Sequence, residues 1–276
     1  MLNFTLDSKE KIMKRNSNDP SVENDISIYN VPAVDRAARI MLMLGSRTRE
    51  MTLAEIASIT GYHKSSVHKI LVTLSHFGFL NRNETTKAYT LGLALVQCGQ
   101  AALNNLHINR STKAFLKDLA EYSGETANLA VLSGTKMVIV ESVEPSVELR
   151  VSPPIGTMDS VINKSNGKAV LAWLPESLVN TIIQREGLPA RTKNSIPSLT
   201  LYRNELAIVR EQGYATDTEE FQEGISAVSA PLFDSEERVM GALSIVGPAF
   251  RMTKEKMQLY GKRCAKAAAQ LSPMNR

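Results

Sequence analysis

Thr52-Leu53-Ala54-Glu55-Ile56-Ala57-Ser58-Ile59-Thr60-Gly61-Tyr62-His63-Lys64-Ser65-Ser66-Val67-His68-Lys69-Ile70-Leu71 reads as two short helices around a glycine turn. Thr52 with Glu55 three residues later is a capping box, and Leu53, Ile56, Ala57 and Ile59 give the first helix one apolar face before Gly61 ends it. From Lys64 to Phe77 the residues Val67, Ile70, Leu71 and Leu74 share a face. That leaves Lys64, Ser65, Ser66, His68 and Lys69 on the other side or at the N-terminal end.

Upstream, Val34, Ala37, Ala38, Ile40, Met41 and Leu44 recur at helical spacing until Gly45. Downstream, Phe79-Leu80, a polar turn over Asn81 to Lys87, and Ala88-Tyr89-Thr90-Leu91 read as two short strands. Three helices and a hairpin make a winged helix-turn-helix over residues 31–92. Residues 1–30, with the polar run Asn16 to Ser21, read as a mobile tail. Residues 93–106, an apolar helix with few charges, read as a connector that buries itself against a second copy of the chain.

From residue 107 to 272 the pattern changes. A helix near Lys113 to Tyr122 precedes strands at Ala127 to Leu132 and Met137 to Val143, with a further strand expected over Val147 to Val151. Helices follow near 167–174, 175–184 and 198–212, then strands near 214–218, 224–231 and 239–247, then a last helix from Thr253 to Leu271. Runs of strands and runs of helices imply an α+β sheet with helices on its faces.

Composition bounds the function. The 276 residues, 43% hydrophobic and 22% charged, suit two soluble globular domains. No stretch approaches the ~20 apolar residues of a bilayer span, and the early charges Asp7, Lys9, Glu10 and Lys11 leave no signal-peptide core. A cytoplasmic protein without membrane contact is expected. Cys98 and Cys264 are too few for a disulfide framework or a metal motif and read as packing residues. His63, His68 and His76 lack the spacing and partners of a zinc site, so no metal and no cofactor are expected.

The net charge of +4 is modest, but residues 31–92 hold eight basic against four acidic side chains, the whole surplus. A helix entering the major groove needs a positive N-terminus with short side chains. Lys64 to Lys69 supplies one: Ser65, Ser66 and His68 are candidates for base or nearby phosphate contacts, Lys64 and Lys69 for phosphates, and Arg82 with Lys87 for the wing. The same serines could instead cap the helix, and the lysines could be a solvated face. An enzyme with a basic docking module is the main alternative, but Gly167-Lys168-Ala169 is not a phosphate-binding loop. Only His107, at the domain's edge, could serve a His-based triad, so no catalytic residue is assigned. A protein-interaction module would leave the charge concentration unexplained.

Leu53-Ala54-Glu55-Ile56-Ala57, Lys64 to Leu71, Phe77-Gly78-Phe79-Leu80 and Tyr89-Thr90-Leu91-Gly92 resemble the winged-helix half of the IclR family of regulators. Gly213, Asp217, Glu220, Ala227-Val228-Ser229, Leu232-Phe233-Asp234 and Gly241 to Pro248 resemble its C-terminal signature. The resemblance implies a GAF-like effector-binding domain with a central antiparallel sheet, a homodimer, and often a dimer of dimers on palindromic double-stranded DNA operators. It carries the effector site to Gly156, Thr157, Asp217, Ala227, Ser244 and Val246. Ala227 and Val246 stand where some members have Cys and Ser, so a less polar pocket is expected, suited to a small organic carboxylate, aromatic acids included. Backbone amides at Asn166-Gly167-Lys168 are expected to hold its anionic end, while Arg150 is read as pairing with a surface glutamate.

Overall fold

The structure, a computed structural model, describes residues 30–47, 49–104 and 112–272. All but Asn30 of the expected tail, and His107, lie outside the described residues. The chain divides into two compact units, Met1–Ile108 and Asn109–Arg276.

In the first unit, helix α1 (Pro32–Gly45) starts on a proline, whose fixed φ and missing N–H suit a first turn. A two-residue strand β1 (Met51–Thr52) leads into α2 (Leu53–Thr60). The capping box is present: the Glu55 amide donates to Thr52 Oγ1 at 3.3 Å, and the Thr52 amide donates to Glu55 Oε2 at 2.8 Å. Gly61 ends α2 in the left-handed region, φ 70°. Helix α3 (Lys64–His76) and strands β2 (Leu80–Arg82) and β3 (Ala88–Leu91) follow. Ile40, Leu44, Ile56, Val67, Leu71, Leu80 and Tyr89 form one core, the apolar stripes of three helices meeting the hairpin. The sheet has three strands in the order β1-β3-β2, because two-residue β1 adds to the expected hairpin; two residues are too few to show periodicity. Gly92 closes the hairpin, its amide donating to Phe79 O, and a Cβ there would lie 2.1 Å from Gly78 O. Helix α4 (Ala94–Asn104) has no buried residue; Leu93 is 79% and Val96 65% exposed. Cys98 on α4 is exposed too, so the packing role expected of both cysteines holds only for buried Cys264.

In the second unit, α5 (Thr112–Ser123), β4 (Thr126–Ser133) and β5 (Lys136–Val143) are followed by β6 (Met158–Ser160), α6 (Ser165–Leu171), α7 (Glu176–Glu186) and α8 (Leu199–Gln212). Strands β7 (Ala215–Thr218), β8 (Ile225–Phe233) and β9 (Val239–Pro248) and helix α9 (Lys254–Leu271) complete it. The six strands form one antiparallel sheet in the order β6-β5-β4-β9-β8-β7. Ala130, Ile139 and Ala242 on the sheet join Val170, Ile182, Tyr202 and Val209 of α6, α7 and α8 in one core. Leu116, Leu119, Met257 and Cys264 of α5 and α9 are buried outside that core, on the face opened by the two-residue alternation of the strands.

The strand expected over Val147 to Val151 is absent; β6 takes the edge beside β5 instead. The Arg150 side chain accounts for this. It donates to Glu144 Oε2 at 2.5 Å and to Val147 O at 2.9 Å, occupying the segment's acceptors from within, and Pro153-Pro154 offer no amide donors. The same bond places Arg150 on a surface glutamate, as the sequence indicated.

Candidate functional site

Two clusters concentrate the chemistry, one in each unit. At the start of α3 the N-cap is His63, with no side-chain cap; the first satisfied amides, Ser66 and Val67, both donate to His63 O. Neither Ser65 nor Ser66 therefore caps the helix. Lys64, Ser65, His68 and Lys69 are exposed, while Val67 beneath them is fully buried. Ser66 is half-buried and accepts a hydrogen bond from Arg36 Nη1 at 3.2 Å, and the Arg36 guanidinium lies 5.4 Å from the centre of the Tyr62 ring. Sequence reasoning missed Arg36 as a partner of the helix, because its only signal was a charge thirty residues from Ser66.

The hairpin loop is shorter than expected: Arg82 belongs to β2, and Asn83 Oδ1 accepts from the amides of Thr85 and Thr86 to shape the turn. The exposed Arg82 guanidinium sits 5.9 Å from the Tyr89 ring centre. Lys87 adopts φ 56° and pairs with Glu84 at 3.1 Å. The hydrogen bond from Lys87 holds the Glu84 carboxyl below its usual range, so part of the wing's charge is compensated within the turn.

In the second unit a cavity of about 290 Å³ opens between the sheet and the start of α6. Asp217, Ala227, Ser244 and Val246 come together in its wall. The strand registers explain it: Ala227 pairs with Asp217 on one side and Val246 on the other, and Ser244 pairs with Asn128 of β4. Gly156 and Thr157 do not line it. The Gly156 amide donates to Ile139 O at 2.7 Å and Thr157 O accepts from the Ile139 amide at 3.0 Å, so their backbone extends the sheet edge while the Ile139 side chain reaches the cavity.

The wall is divided. Ile139, Phe221, Ile225, Ala227 and Val246 are apolar, whereas Asn128, Lys164, Ser165, Asn166 and Ser244 are polar. Ala227 and Val246 thus add apolar surface to a wall that also holds many polar groups. Ser165 Oγ lies 2.7 Å from Ser229 Oγ, which lies 2.8 Å from Ser244 Oγ, a buried chain of hydroxyls. Asn128 is 3% exposed and its Oδ1 has no partner; Asn166 Oδ1 is likewise buried and unpartnered, which is costly unless a ligand or water supplies the bond. Lys164 is ion-paired with Asp159 and its ammonium lies 3.9 Å from the Phe221 ring centre.

The anion-holding role expected of Asn166-Gly167-Lys168 is only partly available. Helix α6 begins at Ser165, and the Lys168 amide is already bonded to Lys164 O. The Lys168 side chain, 0% exposed, donates to Glu220 at 2.6 and 2.8 Å and to Glu205 at 3.1 Å. Gly167 lets α6 approach: a Cβ there would lie 1.8 Å from Val161 O. Asp217 Oδ1 accepts from the Glu220 amide at 2.8 Å and the Phe221 amide at 3.4 Å. Burial, aided by the Glu220 charge, nonetheless pushes the Asp217 carboxyl up to about 7. Residues 112–272 contain no histidine.

Comparison with known proteins settles the family. Residues 33–84 match the IclR helix-turn-helix domain, and residues 100–273, more than half the chain, match the bacterial transcriptional regulator IclR C-terminal domain. The chain belongs to the IclR family. It is 28% identical over 242 residues to the HTH-type transcriptional regulator XynR of Escherichia coli, covering 88% of this chain and 96% of that one. To the transcriptional repressor IclR of the same organism it is 29% identical over 255 residues, covering 92% and 93%. The crystal structure of an IclR transcriptional regulator from Alicyclobacillus acidocaldarius superposes with a TM-score of 0.78 at 32% identity, covering 88% of this chain and 98% of that one. This IclR-family protein is a DNA-binding transcription regulator, not an enzyme.

Proposed function

We propose that this IclR-family protein is a cytoplasmic homodimer that binds a palindromic double-stranded DNA operator, in some complexes as a dimer of dimers. A small organic carboxylate in the second unit's cavity controls that binding, in the service of catabolic genes. Lys64, Ser65, Ser66, His68 and Lys69 of α3 face the DNA, with Arg82 and Lys87 on the wing. Asp217, Ala227, Ser244 and Val246 hold the effector. Gly156 and Thr157 act only through Ile139, and no metal, cofactor or membrane takes part.

One observation carries the reading: the cavity is walled by apolar and polar side chains together, among them Asn128, whose Oδ1 is buried without a partner. Such a wall suits a small molecule with an apolar body and a polar end, and the volume admits a benzoate-sized acid. The test is a gel shift on the DNA upstream of the protein's own gene, across a salt series, with and without glyoxylate, pyruvate and benzoate. The expected complex weakens steeply with salt, because each neutralised phosphate releases counterions, and shifts with one acid class. A complex indifferent to every acid would remove the effector assignment; no complex at low salt would remove the operator assignment.

A further inference from the structure

We infer that the effector is a monocarboxylate bound against a protonated Asp217, so that a proton enters the cavity with each effector molecule. The inference rests on the small-acid reading above and adds the charge state of the site.

The charges of the wall decide it. Lys164, Asp159 and Asp217 are the ionisable side chains in the cavity wall. Lys164 is committed to Asp159 by an ion pair and stacked on Phe221. Behind Asp217, Lys168 is taken up by Glu220 and Glu205, and Tyr202 of α8 is fully buried with its hydroxyl unpartnered. Beyond Phe221, Arg191 lies 4.2 Å from that ring's centre. Among the described residues no ion pair reaches Asp217 itself; its hydrogen bonds come from the Glu220 and Phe221 amides.

With Asp217 ionised, a carboxylate would enter a wall carrying two negative charges and one positive. With Asp217 neutral, the wall is balanced and its O–H can donate to a ligand oxygen, a charge-assisted bond. Burial already favours this form, holding the carboxyl near 7. The proton comes from solvent, joins the Asp217 carboxylate and forms the O–H of that bond. A dicarboxylate would bring a second charge that nothing in the wall neutralises.

The experiment is calorimetric titration of the full-length protein with benzoate, glyoxylate and phthalate at pH 8. It is run in HEPES and in Tris, whose different ionisation heats report proton uptake. Uptake near one proton is expected for a monocarboxylate, with phthalate not binding. Its apparent Kd should be flat at acid pH and rise about tenfold per pH unit once Asp217 ionises in the free protein. Asp217→Asn keeps an acceptor for the two backbone amides and a neutral donor, so its benzoate or glyoxylate affinity should not vary between pH 6 and 9. Binding without proton uptake, phthalate binding as tightly as benzoate, or an unchanged pH profile in D217N overturns this inference and leaves the small-acid reading standing. Failure of every acid at every pH overturns both. If D217N does not fold, as its thermal melt reports, the buffer comparison on the native protein decides alone.

Discussion

Lys168 shows how much a single side chain depends on the chain around it. Its sequence neighbours suggest a helix start whose amides meet an anion, yet its side chain is wholly buried on Glu220 and Glu205, 52 and 37 residues away. No local pattern carries that information, and the same holds for Arg36 on Ser66 and for Asn128 in the cavity. Asp217, Ala227, Ser244 and Val246 were legible because family spacing fixed them on strands whose register then joined them. Removing Lys168 should strand buried carboxylates: Lys168→Ala is expected to cost about 3–5 kcal/mol, read as a fall in urea midpoint, and a loss under about 1 kcal/mol would mean the cluster is solvated. Asp217 acts through pH. The folded protein holds a proton up to about pH 7 that the unfolded chain gives up near the ordinary aspartate value. The unfolded state therefore binds fewer protons in that window, and stability should fall by up to about 1.4 kcal/mol per pH unit between them and level off above. Urea unfolding at pH 4, 5.5 and 7 should show Asp217→Asn gaining on the native protein as pH rises.

At the level of elements, what the sequence revealed followed from local chemistry. The Thr52–Glu55 capping box, the glycine stop at Gly61 and the Thr253 cap of α9, which accepts from the Lys256 amide, are each settled within a few residues. Thr52→Ala removes one half of the box and should cost about 1 kcal/mol, visible as a lower melting temperature. Two elements were not legible: β1 exists because the distant β3 lies beside it, and Val147 to Val151 is no strand because Arg150 turns back on its own segment. Helix α6, expected near 167–174, was legible as a helix, but its close approach was not. It reaches the cavity only because position 167 carries no side chain, the space being filled by Val161 O. Gly167→Ala must push backbone against backbone, so it should displace Ser165 and Asn166 and weaken effector binding at least tenfold while operator binding persists. Unchanged effector affinity in that variant would mean that the start of α6 plays no part in the site.

For the whole molecule, the arrangement joins a basic DNA-reading unit to one that holds a cavity, and the sequence announced the first through its charge distribution, the surplus lying in residues 31–92. Charge reversal at Lys64 and Lys69 should weaken binding to every DNA sequence and flatten the salt slope by about one for each phosphate no longer neutralised, whereas replacing His68 should change which sequence is preferred. The reading of residues 93–106 as a connector that packs against a second copy rests on an apolar helix with few charges. On helix α4 no residue is fully buried, and Val96, with Leu93 just before the helix, stands exposed beside Gln97 and Ala101 on one groove. Apolar side chains in such a row are stable in water when a partner covers them, and a palindromic operator requires two reading heads held at a fixed spacing. Leu93→Glu with Val96→Glu should therefore convert the proposed dimer to monomer in sedimentation equilibrium. Specific operator affinity should fall far more than non-specific affinity, because each head alone still meets phosphates but no longer brings its twin. If the double variant stays dimeric with full operator affinity, the two copies meet elsewhere and α4 serves only to link the units.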